Sequence, residues 1–86
     1  MKKIIDTNGV IFYCDEDNEL HREDGPAVEL VSSYKAWYKN GKCHREDGPA
    51  REYSSGYKEY WYNGISYSDI KTDEEWVRFI KLMVFQ

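Results

Sequence analysis

Between residues 9 and 67 the chain alternates short runs rich in aromatic and β-branched residues with clusters of Asn, Asp, Gly, Pro and Ser. No helical spacing of about 3.6 residues is visible before residue 70. The pattern predicts strands near 9–14, 27–31, 34–39, 42–45, 50–54, 57–62 and 65–67. Asn40-Gly41 and Asn63-Gly64 lie between aromatic runs, and Asn-Gly supplies the two positive φ values of a type I′ hairpin turn. Ser32-Ser33 and Ser54-Ser55-Gly56 mark a second kind of turn, and Asp24-Gly25-Pro26 with Asp47-Gly48-Pro49 a third. Strands joined this closely form an antiparallel meander.

The last segment changes period. Thr72-Asp73-Glu74-Glu75 reads as a capping box, with Thr at the N-cap and Glu at N3, and its acidic first turn suits the helix dipole. Trp76, Ile80, Met83 and Val84 form an apolar stripe that Val77, Phe79 and Leu82 widen, leaving Glu74, Arg78 and Lys81 as a polar strip. A helix this apolar over about 72–84 needs cover on more than one side. It is expected to cap the sheet, and in a sharper reading also to make a homodimer contact.

The strongest signal is an internal repeat. His21-Arg22-Glu23-Asp24-Gly25-Pro26-Ala27 recurs unchanged as His44-Arg45-Glu46-Asp47-Gly48-Pro49-Ala50, an offset of 23 residues. The offset continues through Glu29 and Glu52, Ser32 and Ser55, Tyr34 and Tyr57, Lys35 and Lys58, and the two Asn-Gly pairs. Tyr67 stands where a third His belongs, and Gly9–Leu20 fills the preceding slot with little identity, as expected of terminal repeats that cap an array. One alignment stays open: Trp37 pairs with Tyr60 at constant offset, whereas one gap pairs Trp37-Tyr38 with Trp61-Tyr62. The two choices turn different rings to the inner face.

Composition sharpens this picture. At 86 residues the chain is one domain (1–86) with a thin core, and eight Tyr, three Trp and three Phe are an efficient filling for it. A net charge of −4 without a dense basic patch argues against DNA, RNA or anionic lipid as partners. Cys14 and Cys43 form no CxxC pair and read as free thiols in a reducing compartment. Asp6, Asn8 and Gly9 interrupt the apolar start, so it does not read as a signal peptide, and no stretch approaches a membrane span. A cytoplasmic location is expected.

The run Trp37-Tyr38-Lys39-Asn40-Gly41-Lys42-Cys43-His44 resembles the MORN repeat, which has an aromatic strand, an Asn-Gly-Lys turn, then His and Gly. The His-Arg-Glu-Asp-Gly-Pro-Ala signature looks more closely like the MORN-variant repeats of bacterial, phage and large-virus proteins, some of them antitoxin-like. The resemblance covers about residues 8–67 and implies a mainly β fold of tandem hairpins, followed here by one C-terminal helix. Arg-Glu-Asp inserted between His and Gly departs from the plain MORN pattern and makes a longer, charged corner.

His, Glu and Asp in that corner are chemically capable of proton transfer or metal binding. An active site, however, gathers different groups at one point, and a motif copied whole fits scaffolding better. His21, Asp24, Gly25, Pro26 and His44, Asp47, Gly48, Pro49 are therefore read as structural corners, with no catalytic residue, metal or cofactor assigned. No P-loop, nucleophile elbow, zinc-ligand spacing or dinucleotide fingerprint is present. Alternation turns about half of the strand rings outward. The expected function is a protein-binding module that acts sterically through an aromatic sheet face, as a phage or bacterial inhibitor or antitoxin-like factor. Trp37, Tyr38, Trp61 and Tyr62 are the candidate anchors, with Tyr34 and Tyr57 beside them and Arg22, Arg45, Lys35 and Lys58 as polar rim. The alternative is a small-nucleotide sequestering protein, with rings stacking a base and Arg22 or Arg45 holding phosphate. A hydrolase built on the His/Glu/Asp corner ranks third.

Overall fold

The computed structural model describes residues 1–31 and 33–84. Ser32, half of the expected Ser32-Ser33 turn, lies outside the described residues. In chain order the elements are β1 (Lys2–Ile5), β2 (Ile11–Cys14), β3 (Val28–Leu30), β4 (Tyr34–Ala36), β5 (Tyr38–Lys39), β6 (Lys42–Cys43), β7 (Arg51–Tyr53), β8 (Lys58–Glu59), β9 (Trp61–Tyr62), β10 (Ile65–Ser66) and α1 (Asp73–Val84). Six strands form one antiparallel sheet in the order β1-β2-β3-β4-β7-β8, while β5–β6 and β9–β10 are separate two-stranded hairpins. The fold is mainly β with one C-terminal helix, as the pattern implied.

The Asn-Gly turns behave as their chemistry requires. Asn40 and Gly41 take φ values of 51° and 81°, Asn63 and Gly64 values of 48° and 83°, so both central residues of each hairpin are left-handed. The first unit reaches a similar hairpin by another route. The Asp15 carboxylate accepts the N–H groups of Asp17 and Glu19, Asn18 sits at φ 62°, and Cys14 bridges to Leu20.

Two expected strands are broken. Residues 34–39 split at Trp37 and 57–62 split at Tyr60, because the chain changes sheets there. The Trp37 N–H bonds the Ala50 carbonyl beside the large sheet, while its own carbonyl accepts the His44 N–H beside the small hairpin. Tyr13 does the same with Ala27 and His21, and the Tyr60 carbonyl accepts the Tyr67 N–H. Tyr13, Trp37 and Tyr60 are thus equivalent, and the constant offset of 23 between the last two is the correct alignment. The single meander expected from the sequence is instead a meander from which each Asn-Gly hairpin steps out. Strand β1 was not expected. It pairs with β2 across a turn in which the Asp6 carboxylate accepts the N–H groups of Asn8 and Val10.

The molecule is a slab of 41 × 31 × 18 Å with a radius of gyration of 13.3 Å. A compact domain of this length has about 12 Å. Little of the chain is therefore buried. Cys14, Ala27, Val28, Ala36, Cys43 and Ala50 line the interior of the repeats, and the three alanines have no exposed surface. Both cysteines are free thiols, and burial pushes the Cys43 thiol up in pKa. A second cluster, Tyr60, Trp76 and Ile80, joins the last repeat to α1, with Tyr62, Tyr67, Ile70, Phe79 and Met83 packed around it. The capping box is formed: Thr72 Oγ1 accepts the Glu75 N–H, and the Glu75 carboxylate accepts the N–H groups of Lys71 and Thr72. Those two backbone bonds hold Glu75 below the usual carboxylate pKa. No helix among the described residues is long and apolar enough to cross a membrane.

Helix α1 packs on the end of the array and not across the face of the large sheet. The Tyr60 hydroxyl donates to Asp73 at 2.8 Å. Burial, reinforced by that carboxylate, pushes Tyr60 up to about 12, and burial takes Tyr34 to about 12 as well, against the opposing charge of Arg51. Both folded values lie above the ordinary value of about 10 for tyrosine. Their contribution to stability is complete below about pH 10 and is lost as the pH rises toward 12. Urea midpoints measured from pH 8 to 11.5 are expected to fall above pH 10, and to fall less steeply in Tyr60→Phe. An equal slope in that variant would contradict this reading.

Candidate binding surface

Each corner is built around one arginine. Arg22 donates from Nε to Asp24 at 3.0 Å and from Nη1 to the Pro26 carbonyl and Glu29, both at 3.1 Å. Arg45 repeats this with Asp47, the Pro49 carbonyl and Glu52 at 2.9, 3.1 and 3.2 Å. The guanidinium groups lie over the rings of Tyr13 and Trp37 at 4.0 and 3.9 Å from the centroids. The fork geometry explains why arginine stands here: lysine cannot serve a carboxylate on each side while lying flat on a ring.

The histidines fasten one unit to the next. His21 Nδ1 accepts the Asn40 N–H at 2.9 Å and His44 Nδ1 accepts the Asn63 N–H at 3.0 Å. A backbone N–H only donates, so the imidazole proton sits on Nε2, where it is offered to Glu23 and Glu46, each at 2.9 Å. Both nitrogens of each ring are spent. Backbone bonds repeat at the same spacing, Arg22 N–H to the Tyr38 carbonyl and Arg45 N–H to the Trp61 carbonyl.

Two details differ from the usual parts of Asp and Gly in a turn, where Asp bonds the nearby backbone and Gly supplies a positive φ. Asp24 and Asp47 accept from the arginines instead of from their own turn backbone. Gly25 and Gly48 are absent from the positive-φ residues, so their role is space and not torsion. A Cβ on Gly48 comes within 3.1 Å of Arg45 Cζ, and one on Gly25 within 3.0 Å of Arg22 Cζ. Gly→Ala at an unconstrained site stabilises by about 0.4–1 kcal/mol through the unfolded chain. Here Gly48→Ala is expected to destabilise by about 1–2 kcal/mol, because the guanidinium it displaces is pinned on three sides. In an Arg45→Ala background that cost should vanish. A double-mutant cycle by urea denaturation measures the coupling, and additive effects would contradict the packing argument.

The two corners flank a groove of about 550 Å³ whose lining also includes Trp37, Tyr38 and Lys39. Its rim is acidic: the side chains of Glu23, Asp24, Glu46 and Asp47 are 51 to 84% exposed, while those of Arg22 and Arg45 are 20 and 23% exposed.

The structure brings some of the expected anchors together and separates others. Trp37 and Tyr38 share the corner groove, although Arg45 covers one Trp37 face and the Tyr38 hydroxyl accepts from Arg51 at 3.1 Å. Trp61 lies under Arg51, with Nε1 donating to Glu59 at 3.1 Å, and Tyr62 packs on His44 at 4.6 Å. These two rings belong to the framework of the last repeat. Tyr34 packs on Tyr53 at 5.1 Å and Tyr53 on Tyr57 at 5.5 Å, a short row of rings that ends with Tyr57 61% exposed. Lys35 and Lys58 are exposed, each opposite Glu52 on a neighbouring strand. Leu82 and Val84 stay exposed on α1, where the sequence placed a homodimer contact.

Sequence reasoning missed Tyr13, Arg51 and Tyr53. Tyr13 was hidden by one extra residue in the first hairpin turn. Tyr53 had no signal except its pairing position. Among the described residues one acidic group, Asp15, Asp17 and Glu19, has its carboxylates within 4.8 Å of one another, and Asp15 is already engaged in closing its turn. Comparison with known proteins finds no matching protein family, no matching curated protein and no matching solved structure.

Proposed function

We propose that this chain is a protein-binding module of the MORN-variant repeat kind, which acts sterically by docking a preformed aromatic surface on a partner, in the manner of an inhibitor or antitoxin-like factor. The observation that carries this reading is the saturation of the corners. Every His nitrogen and three arginine bonds per corner are consumed internally, twice over in the same geometry. Groups so engaged are poor acids, bases or phosphate clamps, and a scaffold is what they make. The engaged arginines and the acidic rim also favour a protein over a nucleotide as the occupant of the corner groove. Half-buried rings in a groove with charged edges have the make-up of a binding patch.

The test is affinity capture with the tagged native chain beside a Trp37→Ala variant shown to be folded by circular dichroism. A single protein held by the native chain and lost from the variant supports the module. Equal retention by both removes Trp37 as an anchor, and saturable binding of a nucleotide in place of any protein would overturn the reading.

A further inference from the structure

The repeat contains a template for what its own open edge accepts. Inside the array β4 is not an edge, because β7 of the next unit pairs along it with Tyr34 opposite Tyr53, Lys35 opposite Glu52 and Ala36 opposite Arg51. The Tyr34 and Tyr53 rings touch at 5.1 Å, and an acid faces a lysine. Two backbone bonds bracket the seam, Trp37 N–H to the Ala50 carbonyl and Ser54 N–H to the Ser33 carbonyl.

Moved 23 residues on, β4 becomes Tyr57-Lys58-Glu59, which contains β8, the last strand of the sheet. Tyr57 is the 61% exposed end of the tyrosine row, and Lys58 is exposed. The Tyr60 N–H, equivalent to that of Trp37, has no backbone acceptor among the described residues. The residues at the offset of β7 are Glu74-Glu75-Trp76, and the capping box and the burial of Trp76 draw them into α1 instead. Open grooves of about 280 and 530 Å³ remain beside Lys58, Tyr60 and Lys71. An unpaired strand edge is a template for another chain.

We propose that the outer edge of β8 receives an extended segment of a partner protein in antiparallel register, with an acidic residue opposite Lys58 and an aromatic residue opposite Tyr57. This rests on the binding-module reading and adds a second point of attachment with a stated chemistry. Lys58 and Lys71 line both grooves, with Glu59 in the first and Asp73 and Glu74 in the second, so the acidic preference is local to Lys58 and comes from the pairing of Lys35 with Glu52. An acidic, aromatic strand is what the chain itself lays along the equivalent edge of β4.

The probe is a synthetic peptide with the sequence of residues 49–56, Pro-Ala-Arg-Glu-Tyr-Ser-Ser-Gly, titrated into the isotope-labelled full chain and followed by amide NMR. Saturable shifts at residues 57–60, with slowed exchange of the Lys58 and Tyr60 amides, are expected. The same peptide carrying Glu52→Lys and Tyr53→Ser should bind about ten-fold more weakly, since like charges then face across the pair. Lys58→Glu in the full chain, an exposed change, should reverse the preference between the two peptides. Equal binding of both peptides, or shifts confined to the corner groove, would overturn the proposal. Concentration-dependent shifts at 57–60 without peptide would show that a second copy covers the edge, which also overturns it. Peptide docking at β8 with no capture dependent on Trp37 would count against the earlier reading alone, and the reverse pattern against this inference alone.

Discussion

Trp76→Ala is expected to remove about 3–5 kcal/mol of stability, the range for deleting a large buried aromatic side chain. Trp76 has no exposed surface. Its ring meets Tyr60 at 5.5 Å, Tyr67 at 5.6 Å and Phe79 at 5.8 Å, and its Nε1 donates to the Arg45 carbonyl at 2.8 Å. The ring packs at a tilt of 43° against Tyr60, the position equivalent to Tyr13 and Trp37 on which the corner arginines lie, so it stands in for a third corner. A domain of this size has roughly 4–13 kcal/mol in total. Urea denaturation should find the variant unfolded or close to it at 37 °C. Trp76→Phe keeps most of the ring but orphans the Arg45 carbonyl, and should fall between the two, about 1–3 kcal/mol below the native chain. A loss under 1 kcal/mol in Trp76→Ala would mean that α1 is an appendage and not a cap.

The second large effect is at Arg45. Arg45→Ala removes bonds to Asp47, the Pro49 carbonyl and Glu52 together with the contact on Trp37. The Asp47 bond lies at the surface and counts for little, with that side chain 84% exposed. The Glu52 and Pro49 bonds are partly buried and lose their only described side-chain donor. The expected loss is about 2–4 kcal/mol, which lowers the thermal midpoint by about 10–25 °C in a domain of this length. Arg45→Lys should recover little of it, because an ammonium is a point charge and not a flat fork. Thermal melts of the three proteins decide the matter. A lysine variant as stable as the native chain would show that only the charge matters.

Much of the fold was legible because its signals are local and repeated. Asn40-Gly41 and Asn63-Gly64 encode their turns by torsion alone, and Thr72 to Glu75 encode a helix start by side-chain reach alone. The corners were legible as a repeated unit because seven residues recur unchanged, and the structure uses both copies identically in their arginine and histidine bonds. What escaped depends on longer range. The break at Trp37 arises because its N–H and carbonyl serve different neighbours, Ala50 and His44, and nothing in the residue itself announces that. Strand β1 is four exposed residues that acquire meaning only from β2. The inward turn of Arg22 and Arg45 was not foreseen, since a charged corner reads as rim until Glu29, Glu52 and the rings of Tyr13 and Trp37 are placed beside it. The sorting of rings into groove and framework likewise needed the register of the strands.

The central claim is that the repeated corners hold the fold while the rings do the binding. It is tested most directly by the affinity of a folded His21→Ala, His44→Ala double variant for the protein captured by the native chain, measured below its melting temperature. The account predicts an unchanged Kd in a less stable protein, because both nitrogens of each His are spent on an Asn N–H and a carboxylate, and the ring of His44 packs on Tyr62 of the framework. A variant as stable as the native chain that has lost its effect on the partner would contradict it, and would return the His/Glu/Asp corner to the status of a reactive site.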